Sequence, residues 1–175
     1  MERTEMLKKH GILSQLSSLP KKVLSLHGRQ HVSDFVLHEL CNSHCFDLKK
    51  AAYLVDNPDF DCLKGVAGFY DAEAYPVDTM WQNPDLFVSH VEKAPFNTKV
   101  RSILKPSRIR SHTSEQETTQ MIGDYLGIIK PGFCSWSMKH DNQGILIYET
   151  EPNSCPVSSE ILVNGACLLG FCPIY

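Results

Sequence analysis

Apolar residues recur at helical spacing through about the first 60 residues. MLKKHGILSQLSSL, residues 6–19, predicts a short amphipathic helix weakened by Gly11 and closed by Pro20. Leu26, Val32, Val36 and Leu40 predict a second helix from Val23 to about Cys41, with Gly28 near its start. FDLKKAAYLVDNP, residues 46–58, reads as a third, stopped by Asn57-Pro58.

The pattern then shortens. Asn57-Pro58, Tyr75-Pro76, Asn83-Pro84 and Ala94-Pro95 divide the chain into small pieces, and VRSIL suggests a brief strand before KPSRIR. In SEQETTQMIGDYLGIIKPG, Ser114 and Glu117 form a capping-box pattern ahead of Met121, Ile122, Tyr125 and Leu126 on one apolar face. Beyond Pro131-Gly132, FCSWSMKH and ILIYET around DNQG predict a β-hairpin; EILV and ACLLGF around Asn164-Gly165 predict a second. The expected fold class is α+β, a helical N-terminal half packed on a C-terminal antiparallel β-sheet built from hairpins.

Composition narrows the class. A chain of 175 residues can bury one continuous core, so a single globular domain spanning 1–175 is expected. Hydrophobic content of 42% and charged content of 21% fit an ordinary compact protein. The net charge of −3 argues against binding nucleic acid or an acidic membrane with the whole surface. No apolar run approaches the roughly 18 residues of a membrane helix. MERTEMLKKHG lacks a secretory h-region, so a cytoplasmic protein with free thiols is the expectation. Among the 7 cysteines there is no C-x-x-C pair, which removes the signature of a zinc ribbon or a redox dithiol.

HGRQHVSDFVLHELCNSHC, residues 27–45, concentrates histidine and cysteine. On a helix, His27, His31, Asp34, His38, Cys41 and Cys45 would fall within an arc of roughly 80°, apart from Val32, Val36 and Leu40. Imidazole, thiolate and carboxylate bind zinc or iron. The stripe would span about 27 Å, too long for one ion, so the compact subset His31, Asp34 and His38, with Cys41 adjoining, forms the candidate Zn or Fe site. A zincin motif is absent, because Asn42 stands where H-E-x-x-H requires its second histidine. Cys41 or Cys45 paired with a histidine is a further candidate, as a thiolate nucleophile needs a nearby base or cation.

His90-Val91-Glu92, with His112 or His140 as the distal histidine, resembles the H-x-D/E…H pattern of non-haem iron oxygenases. That resemblance implies two histidines and one carboxylate on one face of an iron, although no arginine follows His140 to hold a 2-oxoglutarate co-substrate. DNPDFDCLKG, residues 56–65, has acidic residues but Pro58 and Asp61 break the EF-hand pattern, leaving a solvated loop. Between Lys93 and Arg110, Lys99, Arg101, Lys105, Arg108 and Arg110 occur without an acidic residue, a candidate surface for nucleic acid or an acidic protein partner. Glycine-rich phosphate loops and the G-x-S-x-G elbow are absent, and Trp81 and Trp136 read as packing anchors.

Overall fold

The computed structural model describes residues 2–152, 154 and 157–174. The elements are α1 (Glu2–Ser25), α2 (Val32–Cys41), β1 (Leu48–Asn57), β2 (Cys62–Tyr70), α3 (Val77–Met80), α4 (Pro84–Lys93), α5 (Pro95–Arg101), β3 (Leu104–Lys105), α6 (Arg108–Ser111), α7 (Glu115–Leu126), β4 (Gly132–Ser137), β5 (Gln143–Thr150) and α8 (Ser159–Ala166). The strands form one 5-stranded sheet in the order β3-β2-β1-β5-β4, with every neighbouring pair antiparallel.

The fold is α+β, but its helices are interspersed with the strands instead of preceding them. FDLKKAAYLVDNP is the main correction: it forms β1, not a helix. Its residues alternate between two cores. Ala51, Tyr53 and Val55 join one, packed with Leu19, Phe35, Phe87 and Leu162; Ala52 and Leu54 join the other, with Val100 and Ile122. A strand covered on both faces needs an unbroken apolar run, which carries no period-2 signal to separate it from a buried helix.

The tail holds the other large correction. β4 and β5 form the predicted hairpin around DNQG, whereas EILV and ACLLGF form α8 and a 3₁₀ turn over Cys167–Phe171. Asn164-Gly165 is therefore inside a helix, not at a hairpin turn. A Cβ on Gly165 would come 2.4 Å from Phe46 Cζ, so this glycine allows α8 to sit on the Phe46 ring.

Near the N-terminus α1 continues through Pro20, and Ile12, Leu19 and Leu26 are buried beneath it and the following turn. The predicted helix from Val23 breaks between Ser25 and Val32, where Gly28 and His31 both take left-handed φ, 78° and 64°. VRSIL is divided between the end of α5 and a short β3. α7 begins with the expected reciprocal Ser114–Glu117 capping box, satisfying N–H groups that its first turn would leave open.

Candidate functional site

All ten residues of α2 are buried, including Asp34, His38 and Glu39. The polar side chains are consequently placed by specific partners. Glu39 accepts from Lys22 Nζ at 2.7 Å and Trp81 Nε1 at 2.8 Å, fastening α1 and the end of α3 to α2. His38 Nδ1 lies 2.9 Å from the Asp34 carbonyl. A carbonyl only accepts, so Nδ1 carries the proton. The ring stands edge-on to Phe69 and Phe87, and this burial pulls its pKa down to about 4 despite the opposing influence of Asp34.

These contacts overturn the Zn or Fe assignment. Among the described residues no group of three or more His, Cys, Asp and Glu side chains could hold a metal ion. His31 precedes α2 with φ 64°, which takes it off the helical stripe, and His38 is turned to its own helix backbone between aromatic rings. Cys41 is buried, and burial raises its thiol well above the usual range. Cys45 is likewise pushed up to about 12, so both thiols are protonated at neutral pH and lack the activation a nucleophile needs.

The iron-oxygenase pattern is not assembled either. His90 Nε2 donates to the Glu73 carbonyl at 2.6 Å, Glu92 faces His31, and His140 lies in the 3₁₀ turn Lys139–Asp141. Metal-binding chemistry from either set is therefore withdrawn for the described residues.

What the fold assembles instead joins residues from different sequence groupings. Asp34 Oδ2 accepts from Arg101 Nη2 at 2.6 Å and lies 3.1 Å from His31 Nδ1. The other ring nitrogen of His31 is 3.3 Å from Glu92 Oε1. The imidazole is thus held from both sides, between α2, α4 and α5. Asp34 is 0% exposed and its Oδ1 has no partner among the described residues, whereas the Arg101 side chain remains 35% exposed.

Beside this cluster is a cleft of about 130 Å³ lined by Gln30, His31, Ser33, Val66, Arg101 and Pro173. It lies at the start of α2, which has no side-chain N-cap. The His31 carbonyl accepts from Asp34 N and Phe35 N, but among the described residues the Val32 and Ser33 N–H groups have no backbone acceptor. Ser33 Oγ is buried against the Cys172 thiol and makes no hydrogen bond of ordinary geometry. Burial pushes Cys172 up to about 12, so it contributes a neutral thiol.

The cations of the basic segment are distributed over several contacts. Arg101 belongs to the cluster above; Arg108 donates to Gln143 Oε1 and the Thr113 carbonyl and lies over Phe133. Lys99 sits over the Tyr125 ring, while Lys105 and Arg110 are exposed. Asp61, in the DNPDFDCLKG loop, accepts from Ser107 N, joining the β1–β2 turn to this segment. Sequence reasoning missed Ser33 and separated Arg101 from Asp34, because no local pattern encodes a contact across 67 positions.

No protein-family model, curated protein or solved structure matches this chain significantly. Its chemistry is read from its own geometry.

Proposed function

We propose that the chain is a ligand-binding protein whose cleft at the start of α2 takes a small molecule through an oxyanion, of carboxylate or phosphate type. The observation carrying this reading is the uncapped α2 N-terminus opening beside the buried Ser33 hydroxyl. Free N–H groups and the positive end of the helix dipole favour an anion. Arg101 adds a guanidinium already oriented by Asp34, and Gln30 adds an amide. Val66 and Pro173 give apolar wall for the remainder of a compact ligand.

The test is an amide-resolved NMR titration with inorganic phosphate, sulfate and acetate, against chloride at matched ionic strength. Saturable shifts at the Val32 and Ser33 amides are expected. Ser33→Ala removes one hydroxyl hydrogen bond of about 1 kcal/mol and should weaken binding about fivefold. Shifts no larger than those with chloride, or unchanged affinity in Ser33→Ala, would overturn the assignment.

A further inference from the structure

His31 stands between opposite charges that make different demands on its ring. Nδ1 lies 3.1 Å from Asp34 Oδ2 and 3.1 Å from Arg101 Nη2. A carboxylate only accepts and a guanidinium only donates, so one ring nitrogen cannot serve both at once. With a proton, Nδ1 donates to Asp34; without one, its lone pair accepts from Arg101. Nε2, 3.3 Å from Glu92 Oε1, donates to that carboxylate in either state. One placement of the heavy atoms therefore fits both the imidazolium and the neutral ring.

The Nδ1 proton changes the cleft that His31 and Arg101 line. With the ring neutral, Arg101 Nη2 divides its hydrogens between Asp34 and His31, and two carboxylates outnumber one guanidinium. With the ring charged, one Nη2 hydrogen is released and the excess negative charge is cancelled. Both changes favour an anion beside Arg101. Other charges nearby are already engaged: Arg29 pairs with Asp85 at 2.6 Å, and His90 donates to the Glu73 carbonyl. His38, pulled down to about 4, and Cys172, pushed up to about 12, stay neutral around neutral pH. The other residues lining the cleft carry no charge.

We propose that the site takes up a proton from solvent on His31 Nδ1 together with its anion, an inference that rests on the cleft binding an oxyanion. Arg101 links the two events, because the N–H that the neutral ring occupies is the one that protonation returns to the ligand.

Sulfate, fully ionised between about pH 5.5 and 8.5, is the probe across the range where imidazoles titrate. Amide NMR titrations of the full chain at matched ionic strength should show its Kd rising about tenfold with pH, the effect of one charge a few ångströms away. The rise should follow the His31 ring ¹⁵N resonances. At a fixed pH within the rise, added sulfate should move those resonances toward the imidazolium, since the coupling is reciprocal. His31→Asn, which tolerates the left-handed φ of 64°, should bind with a flat pH profile. Glu92→Gln, on a side chain 55% exposed, supplies a second variant should His31→Asn unfold; losing that carboxylate should move the rise to lower pH. A Kd independent of pH in the wild type overturns the coupling and leaves the oxyanion site standing. A pH dependence retained in folded His31→Asn, or unmoved in Glu92→Gln, also overturns the coupling. Absence of sulfate shifts at every pH overturns the oxyanion reading and the coupling with it.

Discussion

Asp34 Oδ2 and Arg101 Nη2 lie 2.6 Å apart, joining the start of α2 to the end of α5 with the carboxylate completely buried. Removing the guanidinium leaves that charge with His31 as its remaining close side-chain partner. Arg101→Gln should cost about 2–3 kcal/mol, below the ~3–5 kcal/mol of a fully enclosed pair because part of Arg101 is in water. Adding Asp34→Asn should recover at least about 1 kcal/mol by removing the stranded charge. Urea unfolding of the two singles and the double measures this coupling; additive losses would contradict it.

His38 makes acid stability a second readout of the α2 environment. Its pKa is lowered from 6.5 to about 4, so the unfolded chain takes up the proton first on acidification. The associated stability is fully present above pH 6.5 and is lost as pH falls toward about 4. That window corresponds to about 3 kcal/mol. In His38→Gln, the total loss of unfolding free energy across this interval should shrink by about that much; an unchanged loss would assign the acid response elsewhere.

The legible parts of the sequence were those whose signal was local. The Ser114–Glu117 cap and the β4–β5 hairpin each lie within one short segment and match their expected local geometry. β1 was hidden because KKAAYLV is covered on both faces, and its apolar continuity fits a buried helix equally well. The candidate site was split for a different reason. His31 and Asp34 are sequence neighbours, but Glu92 and Arg101 reach them only through tertiary packing. His31 still meets Asp34 across the left-handed turn, but Arg101 takes the carboxylate and His38 turns to the Asp34 carbonyl, so the three do not share a metal-binding face.

Glu39 offers a separation of hydrogen bonding from charge. It is 1% exposed and accepts from Trp81 and Lys22, whose side chain is 36% exposed. Glu39→Ala should cost about 3 kcal/mol by removing a buried acceptor with two donors. Lys22→Met should cost about 2 kcal/mol, less than Glu39→Ala, because it leaves the buried carboxylate with the Trp81 N–H as its remaining donor while solvent screens part of the lost cation. Thermal or urea unfolding supplies the energies, and movement of the Trp81 indole N–H resonance in Glu39→Ala checks the named contact. Equal losses in both variants would place most of the effect in the ion pair.

Gly65 and Gly11 separate the two costs of glycine. At Gly65 an added Cβ would lie 1.9 Å from the Val100 carbonyl oxygen, so β2 touches the α5 backbone directly. The Gly65 N–H also donates to the Ile103 carbonyl at 3.0 Å, holding the contact. Gly65→Ala must push α5 outward and should lose about 3 kcal/mol, with oxyanion affinity falling as Arg101 shifts from Asp34. At Gly11, exposed in α1, an added Cβ meets nothing within 4 Å. Gly11→Ala should gain about 0.5–1 kcal/mol from helix propensity and leave oxyanion affinity unchanged. Unfolding measurements on both variants, paired with phosphate titration, test the contrast; a tolerated Gly65→Ala would mean that α5 can move without disturbing the cleft.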